Sequence, residues 1–396
     1  MNGVAAAEPA GLRAPRLAAA GWRVALVHDW LTGMRGGEKV LDALCELCPD
    51  AHIYTLLHVP GSVSGRIATR PLQASFVERL PRAPRWYRHY LPLFPAAVES
   101  FDLDRFDLVI SSSHCAVKSV VVPGRARHLC YCHSPMRYAW DQFDAYFGPA
   151  RLGRASRLAR AALRPLARWD AATSGRPDRY VANSQYVARR IRRYYNRAAA
   201  VVAPPVDTVF YTPAAGGPGP YLLVVSALVP YKRLDIAIHA ARAAGMPLKI
   251  AGEGGDRARL EALAGPDVEF LGRATDETVR ELYRGATAVL LPGEEDFGIV
   301  PVEAQACGRP VIALARGCAL ETVVDGETGL LVDSAEPGAW AAAMRRVRDA
   351  VSAGTAFLPE RIRAHAEQFS RERFLTAMAA EIDALVDAPV AEAARW

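Results

Sequence analysis

Short runs of valine, isoleucine and leucine alternate with longer helical patterns from about residue 22 onwards. In the first half the runs predict buried strands over 22–28, 52–56, 108–112, 119–122, 128–133 and 179–182. In the second half they predict strands over 221–226, 248–251, 268–271, 288–291 and 311–313. Intervening stretches such as 37–47 and 185–195 carry the apolar spacing of helices. This alternation predicts an α/β fold, with parallel sheets that are covered by helices on both faces.

A proline-rich stretch without periodicity divides the 396-residue chain into two halves. We therefore predict two tandem Rossmann-like domains, over 22–202 and 221–370, which are joined by a linker over 203–220. Residues 1–21 are rich in alanine, proline and glycine and lack a continuous apolar segment, so they are predicted to be a disordered leader. The final segment, 371–396, carries an amphipathic stripe that must pack on another part of the protein.

The composition narrows the class of protein. Hydrophobic residues make up 51% and charged residues 23%, which is the balance of a globular protein. No apolar run reaches the ~18 residues that a membrane span needs. Cys45 and Cys48 form a C-x-x-C pair, but no second such pair and no histidine pair completes a zinc site. The seven cysteines therefore predict a reduced, cytoplasmic protein with buried thiols and no metal.

The basic residues permit an anionic partner, since the net charge is +6. Aromatic and basic side chains crowd together over 85–94, and 151–169 is an arginine-rich helical pattern that Pro165 threatens to break. One side of that helical wheel carries Arg154, Arg157, Arg160, Arg164 and Arg168. Two interpretations stay open: peripheral contact with an anionic membrane surface, or the solvated face of a packed helix. The other arginines are dispersed and no nucleic-acid-binding signature is present, so no nucleic-acid partner is predicted.

Candidate binding residues of the first half follow predicted strands. The first strand runs into His28, and the adjacent glycines Gly36 and Gly37 then open a helix. Two glycines let backbone amides approach a phosphate, and the helix N-terminus adds partial positive charge. A later strand ends at His133, which Pro135 presents at the sheet edge. A lone histidine there fits a structural role as well as a ligand-binding one.

The second half carries more polar residues at strand ends. Lys232 and Arg233 stand where a helix begins, and two cations there favour an anionic ligand such as the diphosphate of a nucleotide. Gly252 and Gly254 follow the next strand and predict a turn of close backbone approach.

A pair of carboxylates flanks a third helix start. Glu295 precedes this helix and Glu303 lies in its first turns, with Gly298 between them. A single carboxylate would suffice as a helix cap, so the pair predicts two contacts to one ligand that lies across the helix N-terminus.

These motifs together resemble those of the retaining glycosyltransferases of family 4, in particular bacterial O-antigen-type mannosyltransferases. Glu295 and Glu303 match the EX7E motif of that family. The first half carries HDWL at 28–31, GGEKVL at 36–41, SSSHCAVK at 111–118, CYCHSPMRYAWD at 130–141 and VANSQYVARRIRRYY at 181–195. The second half carries PYKR at 230–233, EDFGIVPVEA at 295–304 and CGRPVI at 307–312. The resemblance covers roughly 22–388.

The resemblance implies the GT-B fold, in which two Rossmann-like domains face a cleft and the C-terminal helix crosses back to the first domain. It implies catalytic roles for His133, Lys232, Arg233 and Glu295. It implies donor binding by Gly36, Gly37, Gly252, Gly254, Phe297, Gly298, Ile299 and Glu303. It places the acceptor near His28, Asp29, Trp30, Arg137 and Tyr138. Ala227 stands where many members of the family carry an arginine, and Arg233 would supply that charge.

The implied activity is that of a metal-independent hexosyltransferase without a cofactor. Mannose from GDP-mannose would pass, with retention, to a lipid-linked or polysaccharide acceptor in surface-glycan biosynthesis, at the cytoplasmic face of the inner membrane. A family 4 enzyme that uses a UDP-sugar is one alternative. A catalytically inactive nucleotide-sugar-binding scaffold subunit is another, and Ala227 favours it.

Overall fold

The computed structural model describes residues 21–140, 143–149 and 153–388. The predicted leader lies outside them except for Gly21, as do 389–396 of the final segment. The described residues form two compact units: the first contains those within 21–183, 187–205 and 372–388, and the second contains 184–186 and 206–371. The division after Pro205 falls within the stretch that the sequence predicts as a linker.

The first unit is built on a seven-stranded parallel sheet of order β3-β2-β1-β4-β5-β6-β7. Its strands are β1 Val24–His28, β2 His52–Thr55, β3 Leu72–Ala74, β4 Leu108–Ser113, β5 Arg127–Cys132, β6 Arg179–Ala182 and β7 Ala199–Val201. Its helices are α1 Gly36–Leu47, α2 Gly65–Ala68, α3 Ala83–Trp86, α4 Phe94–Glu99, α5 Phe143–Phe147, α6 Ala155–Ala172 and most of α7 Gln185–Tyr195. Short 3-10 helices cover Phe76–Arg79, Tyr87–Leu93, Val117–Ser119 and Thr173–Gly175.

The second unit is built on a six-stranded parallel sheet of order β10-β9-β8-β11-β12-β13. Its strands are β8 Tyr221–Val225, β9 Leu248–Ala251, β10 Val268–Gly272, β11 Ala286–Leu291, β12 Val311–Leu314 and β13 Gly329–Val332. Its helices are α8 Leu234–Ala244, α9 Arg257–Leu263, α10 Asp276–Gly285, α11 Ile299–Ala306, α12 Ala319–Thr322, α13 Pro337–Ala353 and α14 Pro359–Ala366. Pro230–Lys232 and Glu367–Phe369 are 3-10 helices.

The last helix, α15 Arg371–Asp387, packs on the sheet of the first unit. Phe374, Met378 and Ile382 of its apolar stripe are buried in one cluster with Leu26 of β1 and Ile110 of β4. Because α15 is remote in sequence from these strands, its stripe closes a core that the first half of the chain begins.

Both sheets have the doubly wound order of Rossmann-like folds, which confirms the predicted fold class. In each sheet successive strands are first added toward one edge and then toward the other. This reversal of strand order falls between β1 and β4 in the first unit and between β8 and β11 in the second. Ligands of open α/β sheets bind outside the carboxyl ends of the strands at such switch points. The residues that follow these four strands are therefore the ones to examine.

Several local predictions differ from the structure. The predicted strand over 119–122 is wrong, because the chain after β4 turns into the 3-10 helix Val117–Ser119 and pairs with no strand there. The short edge strands β3, β7 and β13 were not predicted from the sequence. Pro165 does not end α6, which continues through it to Ala172.

Candidate functional site

Three histidines and a serine cluster at the carboxyl ends of β1, β4 and β5 in the first unit. His28 is fully buried, and its Nδ1 lies 3.1 Å from the hydroxyl oxygen of Ser112. The same oxygen lies 2.8 Å from Nε2 of the half-buried His133. The ring of His114 is 5.7 Å from that of His28 and 6.1 Å from that of His133. Ser112 therefore joins two predicted site residues that are 105 positions apart in sequence.

The N-terminus of α1 adjoins this cluster. Gly36 and Gly37 are the first two residues of α1, and a β-carbon on Gly37 would lie 3.3 Å from Cε1 of His28. A side chain at position 37 would therefore crowd the ring of His28. Glu38 is buried in the first turn, accepts a hydrogen bond from the Arg35 amide at 3.1 Å, and has its pKa raised to about 7 by burial.

Asp29 and Trp30, both predicted to lie near the acceptor, are buried in contacts within the first unit. The buried Asp29 carboxylate accepts hydrogen bonds from the four backbone amides of 114–117, at 2.7–3.1 Å. Burial raises the pKa of Asp29, and these amides oppose the rise. Trp30 is 6% exposed and packs against Tyr87 and His114 at ring distances of 5.0 and 4.3 Å. Both residues shape the loop that presents His114.

His114 stands in a positive electrostatic environment. Burial, and then the charges of Arg137, Arg35 and Arg88, lowers the pKa of His114 to about 3. Arg137 and Tyr138, predicted to bind the acceptor, are half-buried, whereas Arg35 and Arg88 are exposed. Three arginines therefore lie near His114, whose Nδ1 is also 3.4 Å from the buried Asp29 carboxylate. Sequence reasoning missed Ser112 and His114, although both lie in the quoted segment 111–118.

An ion pair lies at the switch point of the second unit. Lys232 follows β8 and its ammonium group pairs with the Glu295 carboxylate, which follows β11. The two side chains are only 15% and 12% exposed. Two glycines permit this close packing: a β-carbon on Gly293 would lie 2.7 Å from Cα of Lys232, and one on Gly317 would lie 2.5 Å from the Glu295 carbonyl oxygen. The backbone positions of both charged residues are thereby fixed.

The side chain of Arg233 pairs with Asp235 rather than with Glu295. Its guanidinium group lies 3.2 Å from Asp235 in the first turn of α8, and the side chain is 46% exposed. Its φ of 53° is in the left-handed region, where few residues other than glycine occur. Lys232 is therefore the cation held at this strand end, and Arg233 is partly neutralised by its own helix.

Gly252 and Gly254 serve contacts within the protein. A β-carbon on either would lie about 2 Å from a backbone oxygen of the loop after β8, at 1.9 Å from Ser226 and 2.2 Å from Leu228. The amide of Leu228 also donates to the Glu253 carbonyl at 2.9 Å. The close approach predicted for these glycines is thus an approach of two loops to each other, and it fixes the path of the chain toward Lys232.

The N-terminus of α11 lies beside Glu295. Gly298 is its N-cap, with a φ of 73°, no capping side chain and no acidic residue in the first turn. A β-carbon on Gly298 would lie 3.5 Å from Cβ of Glu295. Ile299 begins the helix and is half-buried, whereas Phe297 is buried against Phe369. The partial positive charge of the helix N-terminus and the Lys232 ammonium thus occur close to one carboxylate.

Glu303 lies one turn further along α11 and is 5% exposed. It accepts a hydrogen bond from the hydroxyl of buried Tyr283 at 3.1 Å. Burial, and then the charge of Glu303, raises the pKa of Tyr283 well above its ordinary value, so this phenol remains a donor. Tyr283 therefore fixes the orientation of Glu303.

Two further features bear on partners. Among the described residues, no group of three or more histidine, cysteine, aspartate or glutamate side chains is arranged to hold a metal ion. Over the same residues, no helix is both long enough and apolar enough to cross a membrane. All seven cysteines are buried and unpaired, and burial raises the pKa of Cys45 and Cys48 to about 12.

Two family models together match most of the chain. Residues 14–210 match the model described as Glycosyltransferase Family 4, and residues 213–350 match the one described as Glycosyl transferases group 1. The chain belongs to the family 4 glycosyltransferases. The motif resemblance to this family is confirmed, whereas its narrower mannosyltransferase and O-antigen aspects are not tested by these matches.

Two curated relatives of this glycosyltransferase family member share a name. D-inositol 3-phosphate glycosyltransferase of Rhodococcus erythropolis is 35% identical over 230 residues, which cover 49% of this chain and 51% of that protein. The protein of the same name from Mycolicibacterium smegmatis is 34% identical over 218 residues, covering 49% and 50%. The chain thus spans about half the length of the curated relatives it matches.

Solved structures show the same fold. Anabaena Alr3699/HepE in complex with UDP-glucose has a TM-score of 0.67 at 18% identity and covers 91% of this chain and 99% of its own. Sucrose-phosphate synthase from Thermosynechococcus elongatus has a TM-score of 0.68 at 18% identity, with coverages of 93% and 100%. At these identities the likeness concerns the fold alone.

Proposed function

We propose that this protein transfers a hexose from a nucleoside diphosphate sugar to a hydroxyl group of an acceptor and retains the anomeric configuration. The observation that carries the proposal is the Lys232–Glu295 pair beside the uncapped N-terminus of α11, at the switch point of the second sheet. An anionic leaving group and a polyhydroxylated sugar are the chemistry that a cation, a carboxylate and helix amides together recognise.

The second unit binds the donor in this proposal. Lys232 stabilises the negative charge that gathers on the departing diphosphate, and the amides at Gly298 and Ile299 add to that stabilisation. Glu295 accepts hydrogen bonds from hydroxyls of the transferred sugar. Glu303, oriented by Tyr283, accepts those of the donor ribose.

Lys232 and Glu295 exchange partners on donor binding. Without donor, each neutralises the other in a half-buried place, so that neither charge is left unpaired. When the diphosphate binds Lys232, the Glu295 carboxylate becomes available to sugar hydroxyls. A donor that carries both a diphosphate and a sugar therefore fits this site better than a nucleotide without a sugar.

The first unit contributes His133, the amides at Gly36 and Gly37, and the acceptor site. The charges of Arg137, Arg35 and Arg88 around His114 favour an acceptor that carries a negative group such as a phosphate. The mechanism needs no metal, because the cation and the helix N-termini supply the positive charge. Attack then occurs on the face of the leaving group, whose oxygen takes the proton of the acceptor hydroxyl.

Two donors compete. GDP-mannose follows from the motif resemblance to O-antigen-type mannosyltransferases and is our first proposal. A UDP-sugar is the second, and the specific observation that favours it is that structures of similar fold were solved with UDP or UDP-glucose.

The basic helix α6 supports an acceptor embedded in an anionic membrane. Arg154, Arg157, Arg164 and Arg168 are exposed along it, and its one acidic residue, Asp170, is buried and lies 3.0 Å from the ammonium of Lys118. Leu158 is 75% exposed on the same helix. A cationic surface with an exposed leucine suits the headgroup region of an anionic bilayer.

Transfer is tested with GDP-mannose and UDP-glucose against hydroxyl acceptors that carry phosphate, namely inositol phosphate and undecaprenyl diphosphate sugars. We expect acceptor-dependent release of the nucleoside diphosphate, and proton NMR of the product should show the anomeric configuration of the donor. Release with inversion would refute the retaining mechanism. Donor binding without release on any acceptor would instead support the scaffold function.

A further inference from the structure

One face of the first sheet carries a row of polar side chains where its central strands end. Side chains alternate between faces along a strand, so His28 of β1 and Ser112 of β4, which are paired in register, share a face. His133 follows β5 on that face, two residues after Tyr131, which is paired with Ser112. The Ser112 hydroxyl oxygen lies 3.1 Å from Nδ1 of His28 and 2.8 Å from Nε2 of His133.

Two directions of donation satisfy all three groups. In a third arrangement Ser112 would accept from both rings, but its own buried proton would then have no acceptor among the described residues, where its hydroxyl contacts only His28 and His133. In the first, His28 donates from Nδ1 to Ser112, and Ser112 donates to Nε2 of His133. His133, when neutral, then carries its own proton on Nδ1. In the second, every donor and acceptor is reversed, and His133 carries its proton on Nε2. The direction of this chain of hydrogen bonds therefore decides which nitrogen of His133 bears the proton.

The surroundings of His28 select the first direction. Burial, and then the neighbouring His114, lowers the pKa of His28 well below its ordinary value, so the ring is neutral and has one proton. Its Nε2 is buried, has no hydrogen-bond partner among the described residues and lies 3.7 Å from where a β-carbon on Gly37 would be. A proton on Nε2 would be a buried donor without an acceptor, directed at the partial positive charge of the α1 N-terminus. A lone pair there is favoured, so the proton resides on Nδ1.

We propose that His28 and Ser112 form a one-way hydrogen-bond relay that fixes the proton of neutral His133 on Nδ1. The inference rests on the proposed function for its consequence, because His133 then offers an N–H donor from Nδ1 to an oxygen of the transferred sugar. Ser112 and His28 are positioning residues in this scheme, since they act through His133. In this scheme the buried His28 influences the sugar only through Ser112 and His133.

The direction of the relay is tested by NMR on the full chain labelled with ¹⁵N in its histidines. Long-range proton–nitrogen correlations at pH 8 show which ring nitrogen carries the proton, and His133→Gln assigns the signal. We expect His133 in the Nδ1–H form, whereas a free histidine side chain in water favours Nε2–H. A wild-type His133 in the Nε2–H form would overturn the proposal without the need for any relay variant.

Variants of Ser112 test the cause. Ser112→Ala should return His133 to the Nε2–H form, and Ser112→Thr, which keeps the hydroxyl, should preserve Nδ1–H. Ser111→Ala is a matched control, because Ser111 makes an equivalent buried contact of 2.8 Å with His128 in the same strand. An Nδ1–H signal that persists in folded Ser112→Ala would show that the serine does not set the tautomer, which would overturn the relay.

Kinetics separate this inference from the proposed function. Ser112→Ala should lower kcat about tenfold or more with a smaller change in KM, since a misdirected donor loses part of the ~10²–10³ that one oriented donor contributes. Ser112→Thr should restore most of kcat, and Ser111→Ala should leave it unchanged. A wild-type protein with the Nδ1–H form but no transferase activity would refute the function and leave the relay standing. An altered tautomer with an unaltered kcat would refute the role of the relay in catalysis.

Discussion

Lys232 and Glu295 show how the surroundings of two residues suit them to the proposed function. An exposed ion pair contributes little to stability, typically about 0–1 kcal/mol. This pair is mostly buried, and the glycines at 293 and 317 bring both backbones within contact distance of neighbouring loops. The arrangement holds the ammonium group in one place before any ligand arrives, which is the preorganisation that electrostatic catalysis requires.

Replacing either partner should therefore impair transfer far more than folding. We expect Lys232→Ala and Glu295→Ala each to lower kcat/KM by about 10²–10³. The matched control is Lys249→Ala, which removes an exposed pair with Glu269 at 3.3 Å in the same unit and should leave the rate within a few-fold of wild type. Initial rates and melting temperatures are measured for all three. Equal rates for Lys232→Ala and Lys249→Ala would refute the site.

His114 makes stability depend on pH. The unfolded chain takes up a proton at this histidine near pH 6.5, whereas the folded protein keeps it neutral down to about pH 3. Stability therefore falls as the pH falls through that window, by up to about 1.4 kcal/mol per unit for one such group. We expect the melting temperature of His114→Gln to fall less than that of the wild type between pH 7 and pH 5. A parallel decline in both proteins would contradict the shift.

The sequence located polar residues at strand ends but could not say which of them face a ligand. Lys232 and Glu295 were predicted separately, and the structure pairs them. Asp29 was predicted beside the acceptor, yet the structure uses its carboxylate to bind four amides. Ser112 carries no individual signal, since its importance arises from the register of β4 with β1 and β5, which a single sequence does not contain.

At the scale of elements, the loop after β4 depends on one carboxylate. Asp29 bends 114–117 into a turn by accepting four amides, which is why the apolar run that follows does not form a strand. Asp29→Asn leaves buried amides without acceptors and should reduce the free energy of unfolding by about 3 kcal/mol. Urea denaturation of the full chain measures this loss of unfolding free energy. Asp107→Asn, at a more exposed ion pair with Arg23, should cost less than about 1 kcal/mol, and equal losses would contradict the assignment.

Helix α6 offers a test of membrane contact. Its arginines at 157, 164 and 168 are exposed, and so are three on α7, at 189, 192 and 193. Changing the α6 set to glutamine should weaken binding to phosphatidylglycerol vesicles about 100-fold, since each charge near such a surface contributes about 1 kcal/mol. Changing the three α7 arginines to glutamine alters the net charge equally, and this variant should bind the vesicles as the wild type does. Vesicle sedimentation compares them, and equal effects of both sets would make the attraction non-specific.

The predictability of the fold differed between elements. Central strands such as β1, β8 and β11 were predicted because buried parallel strands carry nearly continuous apolar runs. Short edge strands were missed for lack of such a run. The stripe on α15 was visible in the sequence, whereas its contacts with β1 and β4 depend on the tertiary fold.

At the scale of the whole molecule, the same architecture occurs twice and each copy places its polar residues at its own switch point. In the second copy these are a cation, a carboxylate and a helix N-terminus, the groups that bind a nucleoside diphosphate sugar in the proposed function. In the first they are histidines within a field of arginines. The division of chemistry between the two units is what the proposed transfer needs, with the donor on one and an anionic acceptor on the other.

Ligand-dependent melting of the wild type and of Lys232→Ala tests this account most directly. GDP, UDP, ADP, GDP-mannose and UDP-sugars are added at equal concentrations, because a ligand at about 100 times its Kd adds ~2.7 kcal/mol of stability. We expect GDP and GDP-mannose to raise the melting temperature of the wild type and of Lys249→Ala but not of Lys232→Ala. A response to UDP compounds alone would retain the donor site and replace mannose. No response to any nucleotide, or an equal response in Lys232→Ala, would contradict the account.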